Sequence, residues 1–248
     1  EKTVVNCWLV VVWARQPTTN NQQLTIDNKE KPMTITFSIM ILLTVIIAFL
    51  LVRYGSQWID QLYEKRKDIL TFPNNIKKRK KYRKWILGIL FTGSGLWLCW
   101  KGSLPEILFF LFATALLLLM TVTDFEQYCL FDDMMIPFAL GGLAWCLVFP
   151  ETAINHGIAA VVGGGVFFLL AVLSGGALGG GDVKLVAALG LWLGTEQLLS
   201  VVCLGMVFGG LVAGILLLLK KKKRKSAFAY GPYFALTTVA LFLIHGGV

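Results

Sequence analysis

Three consecutive glycines, Gly179, Gly180 and Gly181, precede Asp182, which opens the apolar stretch VKLVAALGLWLG. A second carboxylate, Asp124, stands at the end of another apolar run, LLLLMTVTDFEQY. An ionisable side chain at the edge of a membrane segment is costly, and is kept where it faces a protein interior or a wet cavity and has a function. Two such acids at comparable depth can do the acid–base chemistry of an aspartic endopeptidase. One carboxylate takes a proton from water while the other gives one to the scissile carbonyl oxygen, and like-charge proximity leaves one ionised and its partner neutral. Glycines ahead of Asp182 suit that chemistry, because residues without Cβ let an extended peptide backbone approach and permit unusual dihedrals. The plainer reading is an ordinary loop whose Asp182 caps the helix that follows.

The elements that must position these acids are membrane helices. Of the 248 residues, 56% are hydrophobic and only 15% charged, with a mean hydropathy of +0.72, which excludes a large soluble core and points to an all-α polytopic membrane protein. Apolar windows fall at 36 to 52, 86 to 100, 105 to 122, 134 to 149, 157 to 173, 184 to 195, 198 to 219 and 228 to 246. They predict about eight transmembrane or partly inserted helices. Glycines such as Gly163, Gly164, Gly165, Gly209 and Gly210 read as close helix contacts.

The net charge of +9 is concentrated in two blocks, one running from Lys77 to Lys84 and one from Lys220 to Lys225. Blocks that flank apolar segments anchor topology against anionic lipid on the cytoplasmic side, so the partners expected are membrane lipid and a protein substrate, not nucleic acid. Residues 53 to 85 carry eleven Lys or Arg, whereas the connections near Lys101 and Glu151 carry one and none. Threading eight spans from that anchor puts both basic blocks inside. It also puts Asp124 and Asp182, separated by two intervening helices, on the same cytoplasmic face. The five cysteines, Cys7, Cys99, Cys129, Cys146 and Cys203, form no C-x-x-C pair, so no zinc, disulfide framework or cofactor is expected. Residues 1–32 are polar apart from a short apolar run, and read as a translated upstream or disordered segment with Met33 as the start. Lys29-Glu30 fits a purine-rich AAGGAG upstream of it. The rest divides into 33–85, a first span with its basic cytoplasmic loop, and 86–248, a membrane-embedded core.

Residues 174 to 195, SGGALGGGDVKLVAALGLWLGT, resemble the G-x-G-D-x-K-L signature of the type IV prepilin peptidases together with its following A-x-x-G-x-W-x-G. TDFEQYCLFDD at 123 to 133 is similar to that family's first catalytic segment, in which a second Asp follows eight positions after the first, as Asp132 follows Asp124. AYGPYFAL at 229 to 236 resembles its F-G-P-x-L-A-L run, and GSQWIDQLYEKR at 55 to 66 is a faint echo of its G-S-x-L-N-x-x-I-Y-R segment. The likeness covers residues 100 to 246 well and the remainder poorly. It implies Asp124 and Asp182 as the catalytic pair, with Gly179, Gly180, Gly181, Lys184 and Asp132 as substrate-binding or supporting residues. The implied substrates are prepilins or competence pseudopilins, cut after a short basic leader at the cytoplasmic face of the bacterial inner membrane. Lys184 reads either as a cation tuning the nearby carboxylate or as a snorkelling interfacial lysine. Phe131 stands where the family has Pro, which puts the turn before Asp132 in question. Residues 53 to 85 hold no cysteine, whereas bifunctional members carry two C-x-x-C pairs there, so methyltransferase activity is not expected.

His156 and His245 read as interfacial, Glu196 as solvated, and Trp58, Trp85, Trp97, Trp100, Trp145 and Trp192 as belts at span ends. Glu126 reads as a loop or helix-end group. Three rivals stay open: a presenilin-type protease, for which Thr123-Asp124 and Phe234-Ala235-Leu236 are the wrong companions; a scaffold or transport component whose aspartates carry protons or cations; and a pilin-binding protein that does not cut.

Overall fold

The computed structural model describes residues 35–101, 104–175, 178–219 and 230–245. The expectations for residues 1–32, Met33 and the Lys220 to Lys225 run lie outside them. The described chain is helical. Helix α1 (Ile35–Leu50) continues through a π turn, Leu51–Gly55, into α2 (Ser56–Lys65), after which single helical turns lead to α3 (Arg83–Lys101). Then come α4 (Leu104–Gln127), α5 (Asp132–Val148), α6 (Pro150–Leu173), α7 (Gly180–Leu218) and α8 (Gly231–His245). Among the described residues four stretches are long and apolar enough to cross a membrane: Met40–Lys65, Pro105–Gln127, Pro150–Leu173 and Gly180–Leu216.

Helix α7 is two helices joined at Gly194, which has φ 68 and ψ −177. In a straight helix Asp182 and Gly209 would stand about 40 Å apart at 1.5 Å per residue. Both instead lie against the start of α8: a methyl on Gly231 would be 3.4 Å from Asp182 Oδ1, and one on Gly209 would be 3.1 Å from the Tyr230 ring. The chain therefore folds back at Gly194, and the windows 184 to 195 and 198 to 219 are its two arms. Only glycine adopts that left-handed conformation freely. The arms pack most extensively on α6, where Gly190 meets the Ala159–Ala160 backbone so closely that a methyl would come within 2.6 Å of Ala159 C. Of the glycines expected at contacts, Gly163 faces Leu198, Gly164 faces Ala187 and Gly209 faces Tyr230, while Gly165 and Gly210 face open space.

The core lies between α4, α5, α7 and α8. Trp145 and Trp192 are 2% and 0% exposed, which corrects their assignment to interfacial belts. Trp192 Nε1 donates to the Phe138 carbonyl at 2.9 Å, and both indoles pack on Phe109. His156 is likewise buried rather than interfacial, with Nδ1 2.9 Å from the Leu191 carbonyl. Neighbouring helices supply the packing for all three, and a carbonyl partner for Trp192 and His156. Trp85, Trp97 and Trp100 stay exposed, and so does Glu196.

Candidate active site

Three helix termini converge on one point. Asp124 belongs to the last turn of α4, which ends when Tyr128 takes φ 53 and donates its amide to the Asp124 carbonyl at 2.9 Å. Asp182 lies in the first turn of α7, where its amide and that of Val183 bond back to the Gly179 carbonyl at 3.0 and 3.4 Å. Gly179 is thus the N-cap, and a methyl on it would lie 3.4 Å from Asp182 Oδ2. Asp182 therefore belongs to the capped first turn of α7 and also faces the cluster that holds Asp124. The third terminus is that of α8. Tyr230 caps it through the amides of Tyr233 and Phe234, and Pro232 occupies an early position where no amide is missed. That leaves the Gly231 amide free of the helix ladder, at the end of α8 that lies beside the Asp182 carboxylate.

Gly231 gives the scale of the site. A methyl on it would lie 2.5 Å from Asp124 Oδ2 and 3.4 Å from Asp182 Oδ1. The two oxygens are therefore no farther apart than those lengths laid end to end, about 6 Å. Asp124 is 4% exposed and Asp182 9%, so the pair is nearly dry yet sits at helix ends. Leu130 closes one side, in van der Waals reach of both Gly181 and Gly231, whereas Gly180 faces open space. The Cys129 thiol nearby is held protonated by burial, with the charges of Asp124 and Asp132 adding to the effect, so thiolate chemistry is disfavoured there. Among the described residues no group of three or more His, Cys, Asp or Glu is placed to hold a metal ion.

Asp132 and Lys184 do not join the pair. Lys184 Nζ bonds both oxygens of Asp132, at 2.7 and 2.9 Å, with both side chains more than half exposed. The link ties the start of α5 to the start of α7. The ion pair lines an open groove of about 560 Å³ together with apolar residues that include Met135, Ile136, Ala139, Val161 and Leu191. Phe131 takes φ −86 and ψ 132, close to the backbone that proline would impose. Its buried ring packs on Tyr63 with centroids 5.9 Å apart.

Two features escape sequence reasoning. Gly231 is one, although its motif was in view. The other is a buried polar network on the far side of α4. Arg83 Nε and Nη2 grip Glu126 Oε1 and Oε2 at 2.8 and 2.6 Å, while Nη1 donates to Asp60 Oδ1 at 2.8 Å and to the Ser56 carbonyl at 3.1 Å. The Tyr63 hydroxyl donates to Glu126 Oε2 at 3.0 Å, and Lys80 Nζ completes Asp60 at 3.0 Å. Glu126 is thus a helix-end group, as expected, but buried and paired. The signal available in sequence was an acid two residues past Asp124 that had no solvent-facing periodicity to explain it.

Buried carboxylates from two helices, met by the first residue of a third, define an all-α polytopic membrane protein with a two-acid centre. Residues 111–214 match the type IV leader peptidase family. It is 29% identical over 141 residues to a prepilin leader peptidase/N-methyltransferase of Aeromonas hydrophila, covering 54% of this chain and 47% of that protein. A protein of the same name from Neisseria gonorrhoeae is 31% identical over 146 residues, covering 56% and 49%. The chain spans about half the length of the curated relatives it matches. No solved structure matches it.

Proposed function

We propose that the protein is an aspartic endopeptidase that removes the short basic leader of type IV prepilins or competence pseudopilins at the cytoplasmic face of the bacterial inner membrane. The observation that carries this reading is the convergence of Asp124 and Asp182 around Gly231. With one proton between the two carboxylates, the ionised one takes a proton from a water whose oxygen attacks the scissile carbonyl carbon. The neutral one gives its proton to the carbonyl oxygen. Collapse of the tetrahedral intermediate expels the amine, which leaves with a proton returned by the pair. Gly180 supplies an unobstructed flank along which substrate backbone can approach. The apolar groove beside the Asp132–Lys184 pair supplies a surface for the hydrophobic segment that follows the leader, with that ion pair in a supporting role. Residues 53 to 85 contain no cysteine, which supports a peptidase without the methyltransferase activity that its relatives' names include.

The test is co-expression of the full chain with a candidate prepilin, comparing wild type, Asp124→Ala and Asp182→Ala at matched membrane levels. Leader removal is expected in wild type and in neither variant. Processing that survives either substitution removes that residue from catalysis, and a wild type that cuts no prepilin favours a scaffold or transport role.

A further inference from the structure

Asp124 and Glu126 are two positions apart on α4, so their side chains leave the helix on opposite sides. One side carries the carboxylate pair, and the other is gripped by Arg83. Arg83 is 2% exposed and Glu126 6%, and their contact is a two-pronged guanidinium–carboxylate pair, the geometry that fixes orientation as well as distance. The neighbouring positions are held too. Arg79 donates to the carbonyls of Phe125 and Glu126 at 3.2 and 2.8 Å, and the Gln127 side chain exchanges hydrogen bonds with the Phe72 backbone, at 2.9 and 3.4 Å. All three residues after Asp124 are therefore anchored to the segment between α2 and α3. The α4 helix has only slight direct contact with α7, and reaches it mainly through α8. On the α8 side the last turn of α4 meets ring and van der Waals contacts, among them Phe125 on Tyr233 with centroids 6.3 Å apart.

Resting on the peptidase reading, we propose that Arg83 is a positioning residue: its buried clamp on Glu126, completed by Tyr63 and Asp60, fixes the last turn of α4 and so sets Asp124 against Asp182. Arg83 touches neither carboxylate of the pair and acts only through Glu126. Most of the cationic loop is a solvated anchor, whereas this one member serves the geometry of the reaction.

The experiment uses the full chain in nanodiscs, with prepilin cleavage measured as kcat and KM and folding as a thermal midpoint. The triple variant Arg83→Met, Glu126→Leu, Tyr63→Phe removes the buried members together, and the half-exposed Asp60 keeps Lys80 as its partner. It is expected to melt near wild type with kcat reduced about 10- to 100-fold and KM little changed, as a displacement of about 1 Å would cause. Arg83→Lys keeps the charge without the fork, and is expected to lose kcat less, in the same direction. A folded triple variant with wild-type kcat, or a loss confined to KM, overturns the proposal. If the triple variant fails to accumulate, Arg83→Lys decides: reduced kcat supports the clamp and wild-type kcat overturns it. If wild type cuts no prepilin, the peptidase reading alone fails. The clamp is then judged by maleimide labelling of Cys129, five residues past Asp124, with the other cysteines replaced by Ala. Faster labelling in both variants supports it, and an unchanged rate overturns it.

Discussion

Gly231→Ala isolates the geometry of the carboxylate pair from the stability of the fold. Gly231 does not sit at positive φ, so alanine fits its backbone, and the change taken alone stabilises by roughly 0.4–1 kcal/mol through the unfolded chain. The added methyl would stand 2.5 Å from Asp124 Oδ2, 3.2 Å from Leu130 Cδ1 and 3.4 Å from Asp182 Oδ1. Non-bonded contacts to carbon settle at about 3.5 Å, so Asp124 must retreat by about 1 Å, and an apolar group then occupies the space beside both acids. A misplacement of that size costs about 100-fold in rate, or roughly 2.7 kcal/mol in the barrier at 1.36 kcal/mol per tenfold. The assay is the initial rate of leader removal from a purified prepilin in nanodiscs, paired with a thermal melt. Gly210→Ala serves as the control, since a methyl there meets open space, and it is expected to match wild type in both readouts. The expected result for Gly231→Ala is a midpoint within a few degrees of wild type and cleavage slowed by about two orders of magnitude. Cleavage at the wild-type rate by a folded Gly231→Ala protein would refute the reasoning, because the two acids could not then be working at the distance that Gly231 leaves open.

Gly180→Ala also meets no neighbouring atom, so its melt is expected to be unchanged; if substrate backbone approaches along that flank KM rises, and an unaltered KM would dismiss Gly180 from substrate binding. Gly194→Ala is expected to lower the thermal midpoint sharply, because a left-handed residue costs about 1–2 kcal/mol and the methyl would lie 2.5 Å from Asn155 Nδ2; a wild-type melt would mean that the reversal is not held at this residue. Lys184→Gln and Asp132→Asn each break an exposed ion pair and are expected to cost no more than about 1 kcal/mol, with matching effects on cleavage. An effect of Lys184→Gln ten times that of Asp132→Asn would mean that Lys184 acts on the acid pair itself.

Asp124 and Asp182 were legible in sequence because an acid at the edge of an apolar run is anomalous on its own, before any neighbour is known. The helix windows were legible for the same reason, including the two arms of α7, which Thr195, Glu196 and Gln197 separate in hydropathy. Gly231 was not legible as part of the site. Its meaning is a distance to two side chains on other helices, and glycine next to proline reads equally well as a plain helix start. Arg83 was hidden by its company: eleven cations in one segment look alike in one dimension, and burial of a single one depends on Glu126 and Asp60 arriving from different helices. Trp145 and Trp192 were misread because α5 and α7 are apolar on every side, so that periodicity does not distinguish a face toward lipid from one toward protein. For Phe131 the sequence raised a real question about the turn, and the answer is that an extended N-cap residue with a buried ring fills the place of proline.

Convergence at the site follows from counting crossings. Between Asp124 and Asp182 the chain runs out along α5 and back along α6, and between Asp182 and Gly231 it runs out and back along the two arms of α7. Each interval contains an even number of apolar segments, so all three termini return to one end of the bundle. Remove the fold-back at Gly194 and the second interval becomes odd, which would send the start of α8 to the opposite end and take Gly231 away from both carboxylates. A glycine twelve residues from the acid along a single arm thus has topological control over a contact it never touches. Helix ends are also where such chemistry has to sit, because only there are backbone amides left unsatisfied and carboxylates placed between a dry interior and water. A carboxylate pair in mid-span would have neither the amides nor the water, and one in a loop would have no burial to make two acids share a proton.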